Sequence, residues 1–265
     1  MHVCFASEGA PGHANEDLVI ASDRWCVVLD GATEALDVDS GCRHGVVWYV
    51  SQLGAFLSYF LTRSPSDGLV DILGQSIASV SGLHSSTCDL SNPDSPSSVV
   101  AILRERSEEM DYLVLCDSVI ILESTDGGLQ IVVDDRTARL PSYTVEAVRE
   151  LRNSENGFWV ASTLPEAAMH SLSGSAARPL LQSAVLLTDG ASRLVNSFGW
   201  SWRHAVDLAK RAGPSELIRE VRIAEGATAS RKGKRHDDAT VALVTYDASP
   251  QCGHRSPAGG EIAEP

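Results

Sequence analysis

No apolar run in this 265-residue chain is long enough to span a bilayer, and the opening Met1-His2-Val3-Cys4 lacks a signal-peptide layout. Both absences point to a cytoplasmic protein. Positive charge is scarce: 21 Lys and Arg against 35 Asp and Glu leave a formal net charge of -14. That balance excludes a general nucleic-acid binder, which needs a basic surface to displace counterions. Cysteine is thinly spread. The six (Cys4, Cys26, Cys42, Cys88, Cys116 and Cys252) form no CxxC pair and no dense framework, and they read as reduced thiols. Internal repeats are also missing. What is present is ordinary for a globular chain, with 43% apolar residues and a mean hydropathy of -0.03. The length suffices to bury a substantial core.

Short apolar runs predict strands over Val3–Ser7, Leu18–Ala21, Trp25–Leu29, Val99–Arg104, Tyr112–Cys116, Val119–Glu123, Leu129–Val133, Ala184–Thr188 and Thr240–Tyr246. Helices are predicted over His44–Leu61, Leu69–Val80 (capped by Ser66 or Asp67), Val145–Asn153, Pro165–Ser171 (capped by Thr163), Trp202–Ala212 and Ser215–Glu225. Ser85–Ser97 is a Ser/Asp/Asn/Pro loop, and Asp126-Gly127-Gly128 is a hairpin turn. Residues 248–265 have almost no apolar pattern and read as a disordered tail. Strands outnumber helices and often follow one another directly. The expected fold is therefore α+β: two stacked, mainly antiparallel sheets with helices on both outer sides.

Acidic signatures lie at both ends of the chain: Asn15-Glu16-Asp17, Val28-Leu29-Asp30-Gly31, Leu186-Leu187-Thr188-Asp189-Gly190 and His236-Asp237-Asp238-Ala239-Thr240-Val241. Three of them sit at the edge of an apolar run, where a carboxylate has left the core but is held by a rigid element. If Asp30, Asp189 and Asp237 converge, two carboxylates about 4 Å apart repel by roughly 4 kcal/mol at an effective dielectric near 20. Such a cluster needs protons or cations. Carboxylates with no adjacent His or Cys favour hard ions such as Mg²⁺ or Mn²⁺ over zinc. The reaction this inventory serves best is metal-assisted phosphate ester hydrolysis.

With Pro96-Ser97-Ser98-Val99-Val100-Ala101-Ile102 and Leu113-Val114-Leu115-Cys116-Asp117-Ser118 added, the order and spacing of these motifs resemble the type 2C metal-dependent protein serine/threonine phosphatases (the PPM family), in a divergent bacterial-type form. The resemblance covers residues 2–247, so one catalytic domain over 1–247 is expected. It implies a β-sandwich flanked by helices, and two or three Mg²⁺ or Mn²⁺ ions. It implies that Asp30 bridges two ions, that Gly31 offers its carbonyl, and that Glu16 and Asp17 bind or order metal water. By the same resemblance Asp189 and Asp237 serve the first ion and Asp117 a third, with Asp30, Asp189 and Asp237 as the catalytic set. The implied substrate is a phosphoserine or phosphothreonine protein. A small phosphorylated metabolite is the alternative, and a low-activity binding or regulatory module is a third reading.

The sequence departs from the family where substrate is expected. Gly12 stands where an Arg is usual, Ala32-Thr33-Glu34-Ala35 replaces a glycine-rich continuation, and Cys116 replaces a glycine. Val119 and Asp238 replace the usual Arg and Asn. Candidate replacements for the phosphate-binding cation are Lys234 and Arg235, with His13 and His44 as further substrate-facing candidates. A helix N-terminus, such as the one expected at His44, favours anions.

Overall fold

Two five-stranded sheets form the centre of the structure, a computed structural model that describes residues 1–33, 38–227 and 235–246. The expected tail (248–265) and Lys234 lie outside the described residues. In chain order the strands are β1 (His2–Glu8), β2 (Leu18–Ala21), β3 (Trp25–Gly31), β4 (Ser98–Glu105), β5 (Glu109–Leu115), β6 (Val119–Ser124), β7 (Leu129–Val133), β8 (Leu172–Ala177), β9 (Leu181–Leu187) and β10 (Ala239–Thr245). One sheet runs β1-β10-β9-β6-β7 and the other β2-β3-β4-β5-β8. Every named strand pair is antiparallel. The helices are α1 (Gly45–Arg63), α2 (Leu69–His84), α3 (Val145–Leu151), α4 (Asp189–Asn196), α5 (Trp202–Ala212) and α6 (Pro214–Ala227). Among the described residues no helix is long and apolar enough to cross a membrane.

The central strands read as unbroken apolar runs because both of their faces are buried. Val27 and Leu29 of β3 pack outward with Val100 and Ile102 against Tyr49, Leu53 and Leu57 of α1 and Ile72 and Ile77 of α2. Cys26 and Val28, one residue out of phase, face the other sheet, where Ile120, Leu122, Ala184, Leu186, Ala242 and Val244 complete the central layer. Beyond that sheet, Val185, Leu187, Val241 and Leu243 pack on α4, α5 and α6. The result is the four-layer sandwich expected from the sequence. Each fully buried Leu or Ile contributes about 1.5–3 kcal/mol.

Local departures have local causes. β8 escaped prediction because Leu-Ser-Gly-Ser-Ala-Ala has little apolar content; it is an edge strand carried by its ladder to β5. α4 was hidden because Asp189-Gly190 also reads as a turn. The first residue of α2 is preceded by Gly68, with no side-chain cap from Ser66 or Asp67. Residues Pro165–His170 form a 3₁₀ helix with Leu164, not Thr163, at its N-cap. Cys4 is disulfide-bonded, which corrects the reading of all six cysteines as thiols. Cys26, Cys42, Cys88 and Cys116 are free.

One polar hub ties α5 to the sheet. Glu123 at the end of β6 is 3% exposed and accepts from Ser183 Oγ at 2.6 Å, Arg203 at 2.7 Å and Lys210 at 2.5 Å. Burial raises the pKa of its carboxyl, but Lys210, Ser183 and Arg203 outweigh burial and hold it below the ordinary range. A lowered folded-state pKa means stability that is present above the unfolded value and lost as pH falls through the folded one. Glu123→Gln is therefore expected to cost roughly 1–3 kcal/mol at pH 7. In urea titrations of both proteins the gap from wild type should close below about pH 4.

Candidate active site

The period-two pattern of the strands aims the signature residues at one place. Asp30 continues the side of β3 that carries Cys26 and Val28, so it leaves the central layer at the end of the strand. Asp17 has the parity of Val19, Thr188 that of Leu186, and Thr240 that of Ala242 and Val244. Carboxylates from one sheet thereby meet hydroxyls from the other.

Asp17 is 8% exposed. Its Oδ2 accepts from Thr240 Oγ1 at 2.7 Å and from Thr188 Oγ1 at 3.1 Å. Behind these, Ser7 Oγ lies 2.7 Å from Thr240 Oγ1, and Asn15 Nδ2 donates to Ser7 Oγ at 2.8 Å. The Asp17 amide donates to Asn15 Oδ1 at 3.1 Å. Asp17 Oδ1, by contrast, is buried with no hydrogen-bond partner among the described residues. Burial pushes the Asp17 carboxyl up to about 7, against the two threonine hydrogen bonds and with help from Asp238 and Asp237.

Asp30 is the electrostatic centre. Its pKa is driven well above the carboxylate range by burial, and then by the charges of Asp17, Asp189, Asp117 and Asp237. Each of these four aspartates is therefore close enough to raise the cost of ionising Asp30. Asp189 opens α4, and its amide donates to Asp30 Oδ2 at 3.4 Å. Asp117 accepts from Thr137 Oγ1 at 3.0 Å; burial is the main cause of its raised pKa. It follows Cys116, which adopts a left-handed φ of 69°. This is strained for a residue with a Cβ, and it is the position where the family resemblance leads us to expect glycine. Among the described residues no Lys or Arg forms an ion pair with Asp17, Asp30 or Asp117.

Glu16, Gly31, Asp237, His13 and Arg235 stand around them, and His44 does not. Glu16 accepts from Thr33 Oγ1 at 2.7 Å. A Cβ on Gly31 would lie 2.6 Å from the Glu16 carbonyl, so this close approach requires glycine. Asp237 is held through its carbonyl, which accepts from Arg222 at 2.7 Å. Arg222 and Arg193 converge on Glu225, which is 2% exposed and also meets His236 Nδ1 at 2.8 Å. Asp238 grips the N-terminal loop: its carboxylate accepts from the amides of Ala10 and Glu16, each at 2.7 Å. A cleft of about 380 Å³ opens beside the acids, lined by His13, Glu16, Thr33, Arg235, His236 and Asp237 among others. His13 and Arg235 thus share a wall with the acids. His44 does not line that cleft; its ring stacks on Trp48 at 4.1 Å and faces Cys42 and Cys88.

Sequence reasoning passed over Thr188, Thr240, Asn15, Arg222 and Glu225. The threonines stand inside the quoted motifs, and their position one residue (Thr188) or two residues (Thr240) from an Asp was the available signal. For Arg222 and Glu225 no sequence signal existed.

The donor set suits a hard divalent cation. It offers carboxylate oxygens, one of them buried and orphaned, and an excess of negative charge that a cation would relieve. An unsatisfied buried carboxylate oxygen alone costs about 1–3 kcal/mol.

A four-layer sandwich that gathers carboxylates at one end of the gap between its sheets defines a phosphatase class. The chain belongs to the protein phosphatase 2C family, whose model matches residues 11–220, and is thereby a phosphoric monoester hydrolase. Its fold resembles that of the Mycobacterium tuberculosis serine/threonine phosphatase PstP/Ppp, at 16% identity and a TM-score of 0.60 over 92% of this chain and 97% of that one. The catalytic domain of PstP, with the same identity, coverage and TM-score, has been solved in complex with two manganese ions. The PPM Ser-Thr phosphatase MsPP from Mycobacterium smegmatis, in complex with cacodylate, is 17% identical, with a TM-score of 0.58 over 93% and 99% of the two chains. Stp1 from Staphylococcus aureus is 11% identical, with a TM-score of 0.60 over 92% and 94%. No curated protein matches the chain by sequence.

Proposed function

We propose that residues 1–247 are a Mg²⁺- or Mn²⁺-dependent phosphatase that hydrolyses phosphomonoesters, with phosphoserine or phosphothreonine in a protein as the substrate. The observation that carries this reading is the convergence of Asp17, Asp117, Asp189 and Asp237 on Asp30, with Asp17 Oδ1 left unpaired. Asp30, Asp189 and Asp237 would hold the ions, with the Gly31 carbonyl; Glu16 and Asp17 would hold them or their waters, and Asp117 a third ion. Once bound, such ions supply a Lewis acid for the phosphoryl oxygens and an activated water as nucleophile. Thr188 and Thr240 keep Asp17 fixed, and Arg222 keeps the 237–238 turn fixed, so the acids stay aimed without reorganising. The manganese bound by PstP supports the choice of ion.

His13 and Arg235, on the cleft wall, would orient the phosphate in place of the Arg that Gly12 lacks. Arg235→Ala is expected to raise KM for a phosphopeptide about tenfold with kcat little changed, the pattern of a lost binding contact, about 1.4 kcal/mol. An unchanged KM in steady-state assays would remove Arg235 from that role. The whole reading is tested by aryl phosphate hydrolysis with Mn²⁺, with Mg²⁺ and with EDTA, followed by a panel of phosphopeptides, phosphosugars and nucleotides. No turnover with either ion would leave a binding module. Turnover confined to phosphosugars or nucleotides would replace the protein substrate with a metabolite.

A further inference from the structure

Away from the acidic centre, two short pieces of chain bring a different set of donors together. Cys42 and His44 lie just before and at the N-cap of α1; His84 ends α2, and Cys88 follows it. One donor atom from each of the four lies within 4.8 Å of all the others. Cys42 Sγ is 3.5 Å from His44 Nδ1 and 3.5 Å from His84 Nδ1, and Cys88 Sγ is 3.3 Å from His44 Nδ1. We infer that Cys42, His44, His84 and Cys88 form a structural zinc site that clamps the loop entering α1 to the end of α2.

The sulfur–nitrogen spacing suits a tetrahedral ion. Bonds of about 2.3 Å to sulfur and about 2.0–2.1 Å to nitrogen put a sulfur and a nitrogen ligand about 3.5–3.6 Å apart. The three sulfur–nitrogen separations of 3.5, 3.5 and 3.3 Å lie close to that value. The donors are right for the ion: two thiolates and two imidazoles form a closed Cys₂His₂ set that favours zinc and has no use for Mg²⁺. Two thiolates also cancel the charge of Zn²⁺, so the half-buried cluster carries no net charge.

The loop and the rings around the four donors are closely packed. Gly45 takes a φ of 72° as the loop enters α1. His84 is 1% exposed and its Nε2 has no partner among the described residues, so its polar contacts lie inside the cluster. Trp48 packs against both imidazoles, 4.1 Å from the His44 ring and 5.2 Å from that of His84, and the two imidazoles lie edge to face 5.7 Å apart. The same two segments are stitched by backbone: the Asp89 amide donates to the Gly41 carbonyl at 2.9 Å, and Asn92 Nδ2 to the Asp39 carbonyl at 2.9 Å. The ion would add a clamp beside these bonds.

Reduced protein purified without chelator is expected to carry about one zinc per chain by elemental analysis. A mercurial titration should release it to a chromogenic chelator. Cys88→Ser is expected to lose the zinc, whereas Asp30→Asn, altered in the other centre, is expected to keep it. Because a Cys88 variant can misfold, cobalt reconstitution of the wild-type chain gives an independent reading. Intense tetrahedral d–d bands with thiolate-to-cobalt charge transfer are expected, and they persist in Asp30→Asn. Folded, reduced protein with no zinc and only weak octahedral cobalt bands overturns the inference. So does iron or copper in place of zinc, or a Cys42–Cys88 disulfide that persists under reductant.

Discussion

Asp30→Asn is expected to reduce metal-dependent aryl phosphate hydrolysis on the order of 10³-fold, the equivalent of about 4 kcal/mol of transition-state stabilisation. Asp189→Asn should fall comparably. The same substitution is expected to leave the EDTA-treated protein as stable as wild type or more so, which separates a functional loss from a structural one. Burial and four neighbouring carboxylates make ionised Asp30 a strongly unfavourable charge. A neutral amide of the same shape escapes that cost. Melting curves with and without Mn²⁺ read both halves of this expectation. Wild type should gain stability on adding the ion, as any ligand of the folded state confers, and Asp30→Asn should lose most of that gain. Full activity in the variant, or an unaltered Mn²⁺-induced shift in Tm, would dismantle the proposed centre.

Gly190→Ala carries the second large effect. A Cβ at this position would fall 1.9 Å from the carbonyl oxygen of Asp238 and 3.3 Å from Cβ of Asp237. The first obstacle is backbone, held in turn by β10 and by Arg222 bound to the adjacent carbonyl. One methyl must therefore push α4 and the 236–238 turn apart, moving Asp189 away from Asp237. The expected result is a loss of more than about 3 kcal/mol in stability and on the order of 100-fold in kcat. Gly226→Ala is the control, because no atom lies within 4 Å of its would-be Cβ. It should be neutral, or stabilising by about 0.5–1 kcal/mol, on the exposed side of α6. Equal stability of the two variants in urea unfolding would mean that the turn yields easily.

The contrast between those glycines shows where sequence reading stops. Both occur in segments that look helical or turn-like, and nothing adjacent to Gly190 in the chain announces a carbonyl from residue 238. The acidic signatures were legible because they set Asp at the edge of a short apolar run, before it or after it, and a strand's parity is a local property. Asp17 and Asp30 could be placed at strand ends, yet the threonines that hold Asp17 come from the opposite sheet, 171 and 223 residues away. His44 was read as facing an anion, since its place at a helix N-terminus was visible. Its partners His84 and Cys88, brought back by the α1–α2 turn, were not.

By itself the sequence determined the layering, the antiparallel strands, the carboxylate chemistry and the family, because periodicity, strand-end acids and motif order are written along the chain. Only the tertiary structure decided which side chains share a pocket. It seated Arg235 and His13 on the acidic cleft, turned His44 toward two cysteines and an imidazole, and wedged Gly190 against Asp238. Those outcomes depend on distances between elements far apart in sequence, which packing of the two sheets and their helices sets and no local pattern encodes.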